Sequence, residues 1–274
     1  MDIICNSCVV LIGVGSMGSR ITMGLTRTGI NHLKLVDPDI FSIENLFRHE
    51  CDLTDIGRFK VEAVKERLLK INPLAKVETY PFDIFKDKKA KEEVFKGTNL
   101  VIATTDKVSV QLKVNDVCIR KNIPVLFAGC YSEARAGEIL YVIPGETIIC
   151  YECLRSRIQP EEKPKKYIYH DSEQEEYEGE PGLNSAINFI SDVAEQYAVA
   201  LLFRKEDCQM AKLINPKQNL IFISGALGKG FYWWKDTYCF SRPFEFVFPK
   251  MNGPCPDCEI CQKMIPCKPK GLSE

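Results

Sequence analysis

Charge of one sign is what this chain most plainly lacks: 36 lysines and arginines stand against 37 aspartates and glutamates, a formal net charge of −1. No global bias points to nucleic acid or to a membrane surface. No apolar run approaches the ~18 residues that a spanning helix needs. The first residues, Met1 to Cys5, have neither a basic n-region nor a long apolar stretch, so no secretory signal is read there. No internal repeat is found. These absences leave a soluble, cytoplasmic protein as the expectation. Its 274 residues, 45% of them hydrophobic, are enough to bury a sizeable core.

Cysteine is abundant instead, with thirteen in the chain. In a reducing compartment, spaced cysteines bind metal or do redox work. Single ones such as Cys8 and Cys118 read as small buried apolar residues. The Cys-x-x-Cys pairs need another explanation.

The first half alternates strand and helix. Cys8 to Ile12, Leu33 to Val36, Lys76 to Tyr80, Leu100 to Ala103 and Pro124 to Ala128 read as strands. Between them lie helical stretches at Ser19 to Thr28, Phe59 to Ile71, Asp87 to Phe95 and Val108 to Lys121. In the second of these, Val61, Val64, Leu68 and Ile71 fall near one face, and Asn72-Pro73 stops it. This alternation predicts an α/β fold: a Rossmann-like, mostly parallel sheet with helices on both faces. Beyond it, Gly137 to Ile143, Thr147 to Ile149, Leu220 to Ile223 and Phe244 to Phe248 read as strands that add antiparallel pairing. Asn184 to Phe203 reads as a long helix. The stretch 155–182 is polar, with few aliphatics, and reads as an exposed loop of functional length.

Gly13-Val14-Gly15-Ser16-Met17-Gly18 is G-x-G-x-x-G, directly after a strand and opening a helix. Gly13 allows the tight turn, Gly15 lets phosphate approach the backbone, and Gly18 lets helix and strand meet closely. Phosphate then sits at the positive end of a helix. Asp37, about 20 residues on, can accept from ribose hydroxyls. On these facts alone, a nicotinamide-dependent oxidoreductase is the default.

The next segment moves the reading away from it. Asp37-Pro38-Asp39 is followed by Asn45-Leu46-Phe47-Arg48, then Gly57-Arg58-Phe59-Lys60-Val61-Glu62, Ile71-Asn72-Pro73 and Thr104-Thr105-Asp106. In order and spacing these resemble the MoeB/ThiF/HesA-type adenylyltransferases of molybdopterin and thiamine synthesis and the adenylation domains of ubiquitin-activating enzymes. The resemblance runs from about Val9 to Cys258. It implies a single ThiF-type adenylation domain over 1–274, with a nucleotide-binding half at 1–145. A carrier-binding half at 146–274 would include the crossover loop 155–182.

The implied activity is ATP-dependent adenylation of the C-terminal carboxylate of a small ubiquitin-like or sulfur-carrier protein ending in glycine. The implied cofactors are ATP, Mg²⁺ and Zn²⁺, and the implied assembly is a homodimer. Arg48, Lys60 and Asp106 would be catalytic, with Asp106 on Mg²⁺ and the two cations on phosphate. Gly13, Gly15, Gly18, Asp37 and Asn45 would complete the nucleotide site. Read singly, Arg48 and Lys60 are also ordinary surface charges, and Asp106 an ordinary helix N-cap. Three departures stand out: the family's N-terminal arginine arm is not seen, Lys107 replaces the Asn of T-D-N, and Gln111 replaces a usual Arg. Arg20 is a candidate local cation in place of the arm.

Cys150-x-x-Cys153 and Cys255-x-x-Cys258 can close a tetrahedral four-thiolate zinc site, and the family carries pairs at these places. Cys258-x-x-Cys261 competes with the second pair. The site would staple the tail to the core. A second-step nucleophile is not evident: the loop 155–182 holds no cysteine, and Cys130 and Cys208 lack a motif. Two other readings stay open: adenylation of another carboxylate, of peptide or tRNA-modification type, and a catalytically weakened binding subunit. No nucleic-acid or membrane partner is expected.

Overall fold

The protein is seen here as a computed structural model, which describes residues 2–131, 134–156, 182–226, 240–255 and 258–264 and the backbone of 232–233 and 237–238. The first half runs α1 (Asp2–Asn6), β1 (Cys8–Ile12), α2 (Ser16–Thr28), β2 (His32–Val36), α3 (Lys60–Ile71), β3 (Lys76–Tyr80), α4 (Lys88–Phe95), β4 (Leu100–Ala103), α5 (Val108–Arg120) and β5 (Val125–Tyr131). The second runs β6 (Ala136–Val142), α6 (Tyr151–Arg155), α7 (Asn184–Phe203), β7 (Leu220–Ser224), β8 (Tyr232–Trp233), β9 (Thr237–Tyr238), β10 (Phe246–Val247) and α8 (Glu259–Met264).

Eight strands form one sheet in the order β10-β7-β6-β5-β4-β1-β2-β3. Strands β1 to β5 pair with one another in parallel, and β6, β7 and β10 are added antiparallel. The fold expected from the sequence is therefore found. Strand side chains alternate between faces. Val9, Leu11, Leu33, Leu35, Leu100 and Ile102 join the core beneath α2, α3 and α7. Val10, Ile12, Val101, Ala103 and Val125 join the opposite core, with α4, α5 and α6. The central strands β1 and β4 are buried along their whole length and read as unbroken apolar runs, whereas the edge strand β3 is partly exposed and mixed in polarity.

Local signals fix the element ends. Gly29 closes α2 at φ 105°, a left-handed position that suits glycine. Asp87 caps α4 by accepting from the amides of Lys89 and Ala90. At the other end of α4, the buried Lys34 ammonium donates to the carbonyls of Glu93, Val94 and Lys96. Helix α7 is long and apolar enough to cross a membrane by length and composition, but 56% of it is buried in the fold. It lies against α2, and a Cβ on Gly24 would fall 1.7 Å from Glu195 Oε2.

Two expected strands differ. Thr147 to Ile149 forms no strand but follows a turn at 144–146, where the Thr147 hydroxyl accepts from the Ile143 amide and donates to the Ile143 carbonyl. Pairing at Phe244 to Phe248 is confined to Phe246–Val247, since Phe244 turns the chain at φ 57°. Of the loop expected at 155–182, residues 157–181 lie outside the described residues.

Candidate nucleotide-binding site

The strand order 3-2-1-4-5 reverses direction at β1, with β2 on one side and β4 on the other. In open α/β sheets the crevice at such a switch point, beyond the carboxyl ends of the strands, is where ligands bind. A cavity of about 680 Å³ lies there. Gly13 and Gly15 line it from β1, Asp37 and Asp39 from β2, and Thr104, Thr105 and Asp106 from β4; Lys60 also reaches it.

The glycine loop has three different jobs. Gly13 turns at φ 91°, and its carbonyl accepts from the Thr104 hydroxyl at 2.7 Å. Gly15 is the N-cap of α2, no side chain caps that helix end, and a Cβ there would meet nothing within 4 Å. Its open side faces the cavity, where the free amides of the first turn favour an anion. Gly18 is different: a Cβ would lie 2.0 Å from the Gly13 carbonyl oxygen. It serves contact between helix and loop and does not line the cavity.

Asp37 is almost fully buried. Its Oδ2 accepts from the Val14 amide at 2.6 Å and its Oδ1 from the Asp39 amide at 2.9 Å. Burial raises its pKa, and the Lys60 charge and the two amides oppose that rise. Each oxygen keeps a lone pair for a ligand hydroxyl. Lys60, 8% exposed, pairs with Asp39 at 2.9 Å. Asp106 opens to the cavity, yet the surrounding walls raise its pKa by desolvation, partly offset by Arg48 and Lys60.

The structure thus brings Gly13, Gly15, Asp37, Lys60 and Asp106 to one cavity. Asn45 and Arg48 do not line it. They sit on the segment between β2 and α3, where Asn45 Oδ1 accepts from the Ser42 amide and hydroxyl, leaving its amide protons available. Arg48 acts on Asp106 through its charge. Arg20 is spoken for: it pairs with Asp192 at 2.8 Å and Glu50 at 3.5 Å, and does not line the cavity. Gln111 is buried, and its side-chain amide holds the Thr105 carbonyl. Lys107 lines the cavity mouth.

Sequence reasoning missed two parts. One is the wall formed by Pro81 to Asp87 after β3, including Phe82, Ile84 and Phe85. Its only signal is its place after a parallel strand. The other is His49, whose Nε2 donates to the Val14 carbonyl.

The second constellation is sulfur. Cys150, Cys153, Cys258 and Cys261 are all buried, with Sγ atoms within 4.8 Å of one another. Sγ separations of 3.9 Å (Cys150–Cys153), 3.6 Å (Cys150–Cys258) and 3.2 Å (Cys153–Cys261) approach the edge of about 3.8 Å that bonds of about 2.3 Å give in a tetrahedron. Four thiols that close fit a soft divalent metal. S–H donation from Cys150 and Cys261 holds Cys153 well below the usual thiol range, while burial pushes Cys258 up to about 12.

Cys255, expected in the set, stands outside it. The chain turns so that the Cys255 amide donates to Cys153 Sγ and its own sulfur lies 2.9 Å from Ser156 Oγ, while Cys261 takes the fourth place from the first turn of α8. Cys130 is no ready nucleophile, because burial and the Asp106 charge push its thiol up to about 12. Cys208 is half-buried beyond α7.

A doubly wound sheet with a glycine loop at its switch point, two acids and a buried lysine is the arrangement of a Rossmann-like fold with a candidate nucleotide site. Residues 1–226 match the ThiF family, and the chain belongs to it. It is similar to ubiquitin-like modifier-activating enzyme 5 of Caenorhabditis elegans, 32% identical over 155 residues, covering 53% of this chain and 37% of that protein. It is also similar to the molybdopterin-synthase adenylyltransferase of Salmonella typhimurium, 30% identical over 148 residues, 53% and 57% of the two chains. The chain thus spans from about a third to just over half of these relatives. Among solved structures, E. coli MccB with ATP superposes with a TM-score of 0.65 at 22% identity, covering 95% of this chain and 68% of that one. That likeness is one of fold.

Proposed function

We propose that this protein uses ATP to adenylate the C-terminal carboxylate of a small ubiquitin-like or sulfur-carrier protein. The observation that carries the reading is the convergence of Gly15, Asp37, Lys60 and Asp106 on one switch-point cavity. Relatives whose names are adenylyltransferase or activating enzyme support it.

In this reading the acceptor carboxylate oxygen attacks the α-phosphorus, the bond to the β-bridging oxygen breaks, and pyrophosphate leaves. The carboxylate is already ionised, so no proton needs moving. Asp37 orients the ribose. The amides at the start of α2 and the charges of Lys60 and Arg48 offset negative charge gathering on the phosphates. Mg²⁺ held at Asp106 would neutralise phosphate charge further. Zn²⁺ in the four-cysteine cluster would be structural, joining α6 to α8. ATP–pyrophosphate exchange with and without candidate carriers tests the whole. Exchange that depends on a carrier ending in glycine supports it, and exchange that depends only on a short peptide moves the substrate to another carboxylate.

The chain would act as a homodimer. Ile40, Ile43, Phe47, Leu53, Ile56 and Phe59 all stand at least 41% exposed on the segment beside Arg48. Apolar exposure of that kind marks an interaction face. Phe47, 82% exposed, is the residue to change. Phe47→Glu is expected to give monomers by light scattering where the unaltered chain gives dimers; an unaltered chain that is monomeric at high concentration would reject this assembly.

A further inference from the structure

We propose that His49 is a positioning residue of the nucleotide site, holding the Val14–Gly15 peptide so that the Gly15 N–H points into the cavity at the phosphate chain. This deepens the proposed function and rests on it.

The geometry starts at the imidazole. The Cys51 amide donates to His49 Nδ1 at 3.1 Å. Nδ1 is therefore the acceptor nitrogen, and Nε2 carries the proton. That Nε2–H donates to the Val14 carbonyl at 2.8 Å. The ring is braced by Phe41, whose centroid lies 5.1 Å away. Burial keeps the imidazole neutral, with its pKa lowered to about 4.

A trans peptide sends its C=O and the next N–H in opposite directions. The chain has no cis peptide among the described residues. With the Val14 carbonyl turned to His49, the Gly15 N–H must point away from it. Gly15 lines the cavity, and no backbone acceptor takes its amide among the described residues. The preceding peptide is held on both sides: the Gly13 carbonyl by Thr104, the Val14 amide by Asp37. Among the described residues the second peptide has a single anchor, and His49 is that anchor. His49 also belongs to the segment bearing Asn45 and Arg48, so it ties the direction of a backbone donor to the placement of two candidate phosphate-binding side chains.

Three measurements test this. Binding of ATP with Mg²⁺ to the unaltered protein comes first: if none is seen, the proposed function fails and the role of His49 fails with it. If ATP binds, His49→Leu is expected to weaken it about tenfold, the cost of leaving one carbonyl unpaired and the peptide free to turn. His49→Gln, whose side-chain amide can donate to the same carbonyl, is expected to restore most of the affinity. A merely structural role would lower the melting temperature of His49→Leu and leave the ATP affinity of the folded protein unchanged; that result overturns the inference. The third measurement needs no variant, so it can still overturn the role if His49→Leu does not fold. In nitrogen-15 spectra the Gly15 amide should shift strongly on saturation with ATP, and an unmoved Gly15 signal would reject the role.

Discussion

The Lys60 ammonium lies 2.9 Å from Asp39 Oδ2, so the one buried cation of the cavity wall among the described residues leans on a carboxylate that is itself 56% exposed. A phosphate entering the cavity can share that ammonium, because a solvated carboxylate holds it weakly. Lys60→Met keeps the aliphatic stem and removes the charge. It is expected to lower ATP–pyrophosphate exchange at least ~100-fold, a loss typical of a missing charge-stabilising group. Asp106→Ala should abolish exchange while leaving ATP affinity within a few-fold, since the amides of α2 and the cations remain. Full exchange in either variant would move the active site elsewhere.

Two glycines of one loop should answer mutation in opposite ways. At Gly15 a Cβ meets open space, so Gly15→Val should fold and melt near the unaltered temperature, yet fail to bind ATP. At Gly18 a Cβ collides with the Gly13 carbonyl oxygen, and backbone must shift. Gly18→Ala is expected to cost about 2 kcal/mol or more of stability, as overpacking at a rigid contact does. Calorimetry and a nucleotide-binding assay on both variants separate the two roles.

The sulfur cluster makes a sharper prediction than its motif did. Elemental analysis should find about one zinc per chain, as a four-thiolate site holds. Cys261→Ser should lose it and Cys255→Ser should keep it. The reverse result would restore Cys255 as the ligand.

Acid should weaken the fold through His49. Unfolded, this imidazole takes up a proton near its ordinary 6.5; in the fold, burial lowers that to about 4. Between those values the unfolded chain holds more protons, so stability is complete above about pH 6.5 and falls as pH drops toward 4. At about 1.4 kcal/mol per unit, the loss reaches roughly 3 kcal/mol. The Lys60 and Arg67 charges act in the same direction and Asp55 opposes them. Denaturant melts of His49→Gln should lack this slope, and an identical slope in both proteins would assign it to other groups.

The parallel half of the fold was legible because its central strands β1 and β4 are buried along their whole length and because α2 and α3 carry stop signals in their own sequence. Asn72-Pro73 and Gly29 act locally, so reading them needs no tertiary knowledge. The glycine loop, Asp37, Lys60 and Asp106 were legible by motif. What stayed hidden depends on contacts between distant segments. His49 reaches Val14 across 35 positions, and nothing near His49 in sequence announces it. Gln111, noted only as a departure, supports the Thr105 carbonyl. The choice of Cys261 over Cys255 turns on the direction in which the tail enters α8, which spacing alone leaves undecided because both partners of Cys258 lie three residues away.

Cys150 meets Cys258 and Cys153 meets Cys261, and both contacts span 108 positions. The two pairs are therefore stacked in register, each opening a short helix, like two teeth of a clasp. What a clasp demands of the chain between its halves is only that it come back. The entropy of closing such a span changes slowly with length, by about 0.6 kcal/mol for each doubling. Insertions that fall outside α7, β7 and β10 can therefore accumulate in this span over generations, or be grafted by design, with little effect on the nucleotide half of the sheet.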